Sequence, residues 1–521
     1  MKRIILILIV SVLTFSCTDM LEQINPTGPT GDDFFANETE LNYAVISVYA
    51  GLSSGNLYAG NFIGLEQLAD NIYTGSSLTD GSTAPWCNFS FDPSNSGVYN
   101  VYHDLYIAIN RANIVISKIE EVPDLSEQDK KNYLGQVHFI RGYSYFLLTL
   151  LYRDVPVITE PVDDPAGTYI SKSTAPDIYD LVISDLKFAE QNCPEIQGEK
   201  GRVTSWAAKG MLTKVYMFGA DELGKPDWYS MAEEYASEIV QSGKFSLYND
   251  PEKTPTENLL DIFDLANEMN TDKEEVFYLQ HYNNGGSWGN GDVATNMPMQ
   301  LNARQNRNLR LWGYGFGYVY ESNANIWEEG DARKDYTLWF TGEDVIVDGE
   351  VLGQYDQTAQ ARTNAKPNGM CLQKFWWQEN FKKVNGQSDL NWPILRYADV
   401  LLLHTEADLM SDGTLSAAGL ESFNLVRNRA GLESLTAEEV DRDRILQERH
   451  VELFGELHRW FDLMRTKTAE REFAKVSAGD TDGDDTEKLG FNPTRNYKFP
   501  LPQRALDRNP ELVQHPEWSG E

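Results

Sequence analysis

The chain has 521 residues, of which 79 are acidic and 44 are basic, so its formal net charge is −35. This charge argues against nucleic acid as a partner, because binding to phosphates requires a concentrated basic surface. The length predicts either two or more core units or one elongated body built from repeats.

The N-terminus has the pattern of a secretory signal. Lys2 and Arg3 precede an apolar run from residue 4 to residue 13, and the small residue Ser16 stands directly before Cys17. This pattern predicts a lipoprotein signal peptide over residues 1–16 and a mature chain, residues 17–521, whose first residue Cys17 is acylated. An N-terminal core helix is the alternative, but nothing after Cys17 continues the apolar run. The run is shorter than the roughly 20 apolar residues that span a bilayer, so we expect membrane contact only through the lipid on Cys17.

The remaining cysteines are Cys87, Cys193 and Cys371. Their odd number and the lack of Cys-x-x-Cys spacing argue against a disulfide framework and against a zinc site.

Apolar side chains at three- and four-residue spacing predict paired amphipathic helices. The blocks cover residues 99–121, 126–152, 177–191, 204–218, 229–242, 394–411, 417–430 and 441–466. Ser126 offers a cap for the second block. Helix pairs of this kind resemble tetratricopeptide units, although no strict period of about 34 residues is present. The pattern predicts a mainly α-helical fold with a tetratricopeptide-like scaffold of hairpins over about 99–242 and 394–466.

Two irregular stretches, about 54–98 and 243–393, interrupt this scaffold. They contain segments rich in Gly, Asn and Trp, such as HYNNGGSWGNGD (281–292) and RLWGYGFGYVY (310–320). A long irregular segment in a compact protein is either disordered or functional, and the aromatic content disfavours disorder. We therefore predict a single body in which these stretches form a large loop-rich ligand-binding region.

Five segments resemble one protein family in their order along the chain. They are DMLEQINP (19–26), VHFIRGYSYFLLTLLYRDVPVI (137–158), WPILRYADVLLLHTEADLM (392–410), ILQERHVELFGELHRWFDLMRT (445–466) and YKFPLPQRALDRNPELVQHPEW (497–518). Together they resemble the SusD-like (RagB/SusD) proteins, and the match spans almost the whole mature chain.

The resemblance implies a surface-exposed outer-membrane lipoprotein that captures nutrients, usually oligosaccharides, and passes them to a SusC-like TonB-dependent transporter. It also implies helical hairpins that face the transporter and an irregular half that holds the ligand. An acidic segment after the lipidated cysteine favours export to the cell surface in such proteins, and Asp19 and Glu22 stand there. We therefore expect a glycan-binding lipoprotein, anchored in the outer membrane and facing outward, that performs no bond chemistry.

Sugar recognition combines flat aromatic faces, which contact the apolar C–H face of a pyranose, with amide and acid groups that bond to its hydroxyls. Loops on a rigid scaffold concentrate such residues. The candidates on the predicted loops are Trp86, Trp288, Trp312, Tyr314, Asn284 and Asp70. In the resembled family an aromatic arc from these two stretches holds the glycan, which favours Trp288 and Trp312. Each tryptophan also fits the alternative role of a core anchor.

Charged residues in the later helical segments fit ion pairing better than chemistry. Arg459, Asp462 and Arg465 recur every three residues, so they can pair along one helical face. His404 and Glu406 have the spacing of the His-x-Glu motif of zinc deaminases, but no Pro-Cys-x-x-Cys follows.

Two other functions stay open at this point. A surface glycoside hydrolase would need one carboxyl group as acid and a second as nucleophile or base. Adjacent pairs such as Glu274–Glu275 and Glu328–Glu329 are expected by composition alone in so acidic a chain. The second alternative is a protein of the same fold that binds peptides or another nutrient.

An acidic run near the C-terminus contains Asp480, Asp482 and Asp484, whose carboxylates are the hard oxygen ligands that calcium prefers. Gly483 falls at the fourth position of this run, whereas an EF-hand requires glycine at the sixth. A solvated acidic loop therefore fits better than a calcium site, and we expect no cofactor.

Overall fold

The computed structural model describes residues 35–73, 84–162, 167, 169–264, 271–282, 294–302, 313–347, 350–355, 369–375, 388–479, 488 and 490–520. Within these ranges the chain is mainly α-helical, as predicted. The predictions for Cys17, Asn284, Trp288, Trp312, Asp480, Asp482 and Asp484 lie outside the described residues.

The helices are of two kinds: long helices that form the scaffold and short helices that lie mainly in the loop-rich stretches. They are α1 (Glu38–Leu52), α2 (Gly64–Leu68), α3 (Ala84–Cys87), α4 (Ser96–Lys118), α5 (Glu127–Tyr152), α6 (Ala175–Asn192), α7 (Ser205–Leu223), α8 (Trp228–Gln241), α9 (Pro255–Asp261), α10 (Met297–Leu301), α11 (Ala332–Thr337), α12 (Tyr397–Asp412), α13 (Ala417–Arg429), α14 (Arg442–Glu452), α15 (Arg459–Thr466), α16 (Ala469–Gly479) and α17 (Gln503–Arg508). None of the helices in the described ranges is long and apolar enough to cross a membrane.

Side-chain caps determine where the scaffold helices begin. Ser126 accepts a hydrogen bond from the N–H of Asp129 at the start of α5, as its position predicts. Thr174 and Asp177 form a capping box at the start of α6, and Thr204 caps α7. Each such cap stabilises a helix by about 1 kcal/mol, because it pairs a backbone donor that the helix itself leaves without a partner.

The long helices pack in sequence, each against the next. Helix α1 packs on α4, α4 on α5, α5 on α6, α6 on α7 and α7 on α8. The two predicted hairpins, α4 with α5 and α6 with α7, are therefore confirmed. Helix α1 precedes them and extends the array by one helix that the sequence analysis did not identify.

The third predicted pair has a partner from a distant part of the chain. Helix α8 packs against α12, which begins only after the loop-rich stretch has ended, and α12 then packs against α13. The scaffold is thus continuous in space although residues 243–393 interrupt it in sequence.

The block predicted over 441–466 is two helices, α14 and α15, rather than one. Between them the backbone enters the left-handed region at Gly455, with φ of 83°, and at Leu457, with φ of 70°. An α-helix cannot continue through such residues. The chain therefore turns here, and the charged residues of the block face several neighbouring elements instead of one.

The strands are short and lie in the loop-rich stretches. Strands β1 (Ile72–Tyr73), β3 (Tyr318–Val319), β7 (Met370–Leu372) and β4 (Leu338–Phe340) form one sheet in the order β1-β3-β7-β4. Strands β2 (Glu275–Leu279) and β8 (Trp392–Arg396) form an antiparallel pair, as do β5 (Asp344–Val347) and β6 (Glu350–Gln354).

The charged residues that the sequence assigned to ion pairing are buried and paired across elements. Arg465, whose side chain is 0% exposed, bonds Glu406 on α12 with Nη1 at 2.7 Å and Nη2 at 2.6 Å. Arg449 on α14 reaches Asp399 on α12 at 2.7 Å and Asp462 on α15 at 2.9 Å. These contacts tie the last helices to the scaffold, which confirms their structural role.

Candidate functional site

The two irregular stretches meet along one junction. Strand β1 of the first pairs with β3 of the second, with Ile72 opposite Val319. The N–H of Asn296 donates to the carbonyl of Ala59 at 2.9 Å, and Asn323 Nδ2 donates to the carbonyl of Asp70 at 2.7 Å. We call this region, residues 53–73, 294–302 and 313–325, the loop junction.

A close backbone approach sets the shape of the second stretch at the junction. The N–H groups of Tyr314 and Phe316 donate to the carbonyls of Met299 and Gln300 at 2.8 and 2.9 Å. A Cβ atom on Gly317 would lie 1.9 Å from the carbonyl oxygen of Leu301. Only glycine therefore permits these two backbone segments to lie so close together.

This arrangement leaves one aromatic side chain of the junction open to solvent. Tyr314 is 48% exposed, and its ring centroid lies 6.0 Å from that of the half-buried Phe316. Tyr282, three residues after the end of β2, is 67% exposed. An exposed ring whose backbone is held by hydrogen bonds is a preformed surface for stacking, because little conformational entropy is lost when a ligand binds.

The amide side chains of α10 serve the junction itself. Asn296, Gln300 and Asn302 are buried, and Gln300 Nε2 donates to Asn296 Oδ1 at 2.7 Å. Asn302 Nδ2 donates to the carbonyl of Pro298 at 2.6 Å. These bonds stabilise α10 and its ends, while the backbone N–H of Asn296 joins α10 to the first stretch at Ala59.

A polar cluster lies where the first stretch meets α4. Asp104 accepts hydrogen bonds from Asn56 Nδ2 at 2.8 Å and from His103 Nδ1 at 2.9 Å. Asn61 and Asn100 each donate to Asn56 Oδ1 at 3.3 Å. Burial raises the pKa of Asp104, but the hydrogen bonds from His103 and Asn56 outweigh it, so the pKa lies below its ordinary value. The carboxylate stays ionised at neutral pH and acts as a strong acceptor.

The polar cluster is linked to the loop junction through Gly60. Gly60, next to Asn61, lies so close to α10 that a Cβ there would be 3.0 Å from Asn296 Oδ1 and 3.2 Å from Gln300 Nε2. Gln300 in turn bonds to the backbone beside Tyr314. Gly60 and Gln300 thus link the exposed ring to a cluster in which His103 is exposed, the three asparagines are half-buried and Asp104 is buried.

Two predicted ligand residues have structural roles instead. Trp86 is 0% exposed, packs against Phe499 and donates from Nε1 to Asn95 Oδ1 at 3.3 Å, so it is a core anchor that offers no face to a ligand. Asp70 is 4% exposed and accepts two hydrogen bonds from Arg459, at 2.8 and 2.7 Å. Burial raises the pKa of Asp70, yet the charge of Arg459 holds it well below the ordinary value.

Of the other predicted site residues, Tyr314 is exposed at the junction, whereas Trp288, Trp312 and Asn284 stay predictions because they lie outside the described residues. The sequence analysis missed His103, Asp104 and Asn100. Their spacing along α4 was the available signal, because residues three and four apart share a helical face.

The acidic pairs considered for hydrolysis contain members that are held by arginines. Glu274 is buried and pairs with Arg396 at 2.6 Å and with Arg429 at 3.2 Å. Hydrogen bonds from Arg427 and Arg444 lower the pKa of Glu328 to about 2. A general acid needs a raised pKa, so Glu328 does not suit that role. Within the described residues, no group of three or more His, Cys, Asp or Glu side chains is arranged to hold a metal ion.

Comparison with known families agrees with this architecture. Residues 256–518, just over half of the chain, match the model of the SusD family. The chain belongs to the SusD family. Residues 30–217 match a second SusD-like model, described as "Starch-binding associating with outer membrane". The two matches together cover residues 30–217 and 256–518, which include the first irregular stretch and most of the second.

SusD-like relatives align with nearly the whole chain. SusD-like protein P2 of Formosa agariphila is 28% identical over 98% of this chain and 99% of that protein. A SusD-like protein of Bacteroides ovatus is 26% identical over 89% of this chain and 82% of that protein.

Solved SusD-like structures share the fold. A SusD homologue from Bacteroides thetaiotaomicron superposes with a TM-score of 0.78 at 23% identity and covers 94% of this chain and 98% of its own. Surface glycan-binding protein A from Bacteroides uniformis superposes with a TM-score of 0.74 at 23% identity, covering 93% and 100%. At these identities the similarity concerns the fold alone, and the identity of the ligand depends on the residues of this chain.

Proposed function

We propose that this SusD-family protein binds oligosaccharides or polysaccharides at the loop junction on the cell surface and delivers them to a SusC-like TonB-dependent transporter. The observation that carries the proposal is the exposed ring of Tyr314, held by backbone hydrogen bonds in a segment that is linked through Gln300 and Gly60 to a cluster of amide and imidazole groups. Stacking on the apolar face of a sugar and bonding to its hydroxyls require this combination of groups.

The named relatives support a glycan as the ligand. A solved structure with a TM-score of 0.74 is named a laminarin-binding SusD-like protein, and other structural neighbours are named surface glycan-binding or carbohydrate-binding proteins. Binding without turnover fits these names, because none of them describes an enzyme. The description of the second family model supports a place at the outer membrane.

Binding is tested by affinity electrophoresis of the purified chain on a panel of polysaccharides. Tyr314→Ala is expected to weaken retention by a retarding glycan roughly tenfold, which corresponds to about 1.4 kcal/mol. Tyr169→Ala is the matched control, because Tyr169 is 47% exposed and lies outside the junction. Trp288→Ala and Trp312→Ala test the platform residues that the sequence predicts. If no glycan retards the wild type, or if Tyr314→Ala and Tyr169→Ala behave alike, the proposed site is wrong.

The anchor and the transporter are tested separately. Labelled palmitate is expected to enter the wild-type chain but not Cys17→Ala, and the variant should leave the membrane fraction. Purification of the wild type from its own outer membrane is expected to bring a TonB-dependent barrel with it. Recovery of the chain without a barrel would contradict the delivery role and leave glycan binding untouched.

A further inference from the structure

A cleft lies between α4 and the C-terminal segment that contains α17. Its volume is about 410 Å³, and its walls are mainly apolar and aromatic. Tyr99, Tyr102 and Tyr106 of α4 line it at three- and four-residue spacing, so the three tyrosines share one face of that helix. It is separate from the loop junction, although His103 lines the cleft and also bonds to Asp104 of the polar cluster.

The charge of the cleft is opposite to that of the whole protein. Arg111, Arg504 and Arg508 line it, and no Asp or Glu of the described residues does, although the chain has 79 acidic residues. None of the three guanidinium groups forms an ion pair with a carboxylate of the described residues: Arg111 donates to the carbonyl of Ser47, while Arg504 and Arg508 contact Tyr99.

This absence of carboxylate partners distinguishes the cleft from the rest of the described chain. Thirteen described arginines outside the cleft each form an ion pair with a carboxylate: Arg141, Arg153, Arg202, Arg333, Arg396, Arg427, Arg429, Arg442, Arg444, Arg449, Arg459, Arg465 and Arg471. Asp507, which lies between Arg504 and Arg508 in sequence, accepts a hydrogen bond from Gln503 instead. Three cations that share one cleft and have no ion-pair partner among the described carboxylates are available to an anionic ligand.

The positions of the arginines indicate an extended ligand. Arg504 lies over the ring of Tyr99 at 4.9 Å, and Arg508 Nη1 is 3.5 Å from the Tyr99 hydroxyl, so both stand at the first end of α4. Arg111 lies twelve positions further along the same helix, which corresponds to about 18 Å at the helical rise per residue. The tyrosine face lies between the two charged ends.

We propose that this cleft is a second binding site, for an oligosaccharide that carries carboxylate or sulfate groups. Tyrosine rings suit the apolar faces of successive sugar rings, and guanidinium groups bond carboxylate or sulfate oxygens in a bidentate manner. The net charge of −35 repels an anion, but salt screens this repulsion at distances beyond about 8 Å. Within that distance the arginines of the cleft determine the local attraction. The proposal rests on the proposed glycan-binding function and adds a second site and a charge class.

The test compares charged and neutral forms of the same backbone by titration calorimetry with the full mature chain. The probes are polygalacturonate with its methyl ester, and a sulfated galactan with its desulfated form. The wild type is expected to bind at least one acidic form at least tenfold more tightly than its neutral counterpart. A preference within the polygalacturonate pair indicates a carboxylated ligand, and a preference within the galactan pair indicates a sulfated one.

Two double variants of equal charge test the location. Arg504→Gln with Arg508→Gln is expected to raise the Kd of the acidic glycan at least tenfold and to leave neutral glycans unchanged. Arg471→Gln with Lys475→Gln removes the same charge outside the cleft, at side chains that are 50% and 64% exposed, and should change the Kd less than twofold.

Each contrary outcome has a definite meaning. Equal binding of charged and neutral forms, equal losses in the two double variants, or arginine-dependent binding of acidic peptides in place of glycans would overturn the cleft proposal. If neutral glycans still bind in a Tyr314-dependent manner, the proposed function stands without the second site. If the wild type binds no glycan of either kind, both proposals fail.

Discussion

Lowering the pH from 7 to 5 is expected to destabilise the fold, because three buried histidines must gain protons when the chain unfolds. Burial lowers the pKa of His281 to about 4 and the pKa of His450 and of His458 to about 3. His458 Nδ1 lies 3.0 Å from the ammonium group of Lys214, and His450 Nε2 lies 2.6 Å from Asn71 Oδ1. The folded state thus keeps all three rings neutral at pH 5.

The magnitude follows from the shifts. A group whose folded pKa is depressed loses its contribution as the pH falls below the unfolded value, which for histidine is about 6.5. Between pH 7 and pH 5 each histidine therefore lowers the free energy of unfolding by about 2 kcal/mol, and the three together lower it by about 6 kcal/mol. Glu66 acts in the opposite sense, because burial raises its pKa to about 7 and protonation at lower pH stabilises the fold. Protonation of Glu66 adds about 2 kcal/mol to the free energy of unfolding between pH 7 and pH 5. The net decrease in the free energy of unfolding is therefore about 3 to 4 kcal/mol.

Urea unfolding at pH 7, 6 and 5 and constant ionic strength measures this loss, and potentiometric titration at about pH 5.75 counts the protons taken up. An uptake of more than one proton is expected per chain. Unfolding adds protons to these three histidines and to His404 and His515, whose pKa burial also lowers, and releases one from Glu66. His458→Gln should remove about 2 kcal/mol of the pH dependence, whereas Glu66→Gln should increase it by a similar amount. Stability that is constant or rises from pH 7 to pH 5, or a His458→Gln variant with the full pH dependence, would refute the reasoning.

Three substitutions test packing claims through urea unfolding. Arg465→Met should cost about 3 to 5 kcal/mol, because it leaves buried carboxylates without their cation, and Arg442→Met should cost less, since the Arg442 side chain is 27% exposed. Gly317→Ala should separate the two backbone segments at the loop junction and weaken glycan binding, whereas Gly55→Ala, with nothing within 4 Å of its Cβ, should do neither. Trp86→Ala should cost about 3 to 5 kcal/mol and leave glycan affinity of the folded fraction unchanged.

Each of these expectations has an outcome that contradicts it. Equal costs for Arg465→Met and Arg442→Met would mean that burial does not govern the strength of these pairs. Normal stability and glycan binding in Gly317→Ala would show that the close approach at Leu301 is dispensable. A loss of glycan affinity in folded Trp86→Ala would restore Trp86 to the ligand site.

Periodicity predicted the scaffold because its helices are amphipathic and capped. The first two hairpins and the Ser126 cap follow directly from local sequence. The packing of α8 against α12 could not be predicted in this way, since local sequence does not show which helix packs against α8 after a long insertion. The break between α14 and α15 at Leu457 was missed because a non-glycine residue with positive φ has no clear sequence signature.

The candidate site was less predictable than the scaffold, because local sequence does not show whether an aromatic side chain is buried in the core or exposed on the surface. Trp86 and Tyr314 both stand in irregular sequence, yet tertiary contacts bury the first and leave the second exposed. Asp70 was read as a polar ligand group because Arg459, its partner, lies 389 residues away. The unpaired arginines of the cleft likewise became visible only when the carboxylate partners of the other arginines were known.

The antiparallel pairing of β2 with β8 makes the intervening chain a cassette with a fixed entry and exit. Leu279 lies opposite Trp392, so the Cα atoms at its two ends are about 5 Å apart. Insertions inside this segment leave the scaffold helices undisturbed where they spare Glu328, Arg333 and Lys374, which pair with Arg427, Glu448 and Glu456. Each doubling of a loop costs only about 0.6 kcal/mol in closure entropy. Relatives can therefore diversify what they capture while preserving the body that presents it, provided that the contacts of β3 and Asn296 with the first stretch are kept.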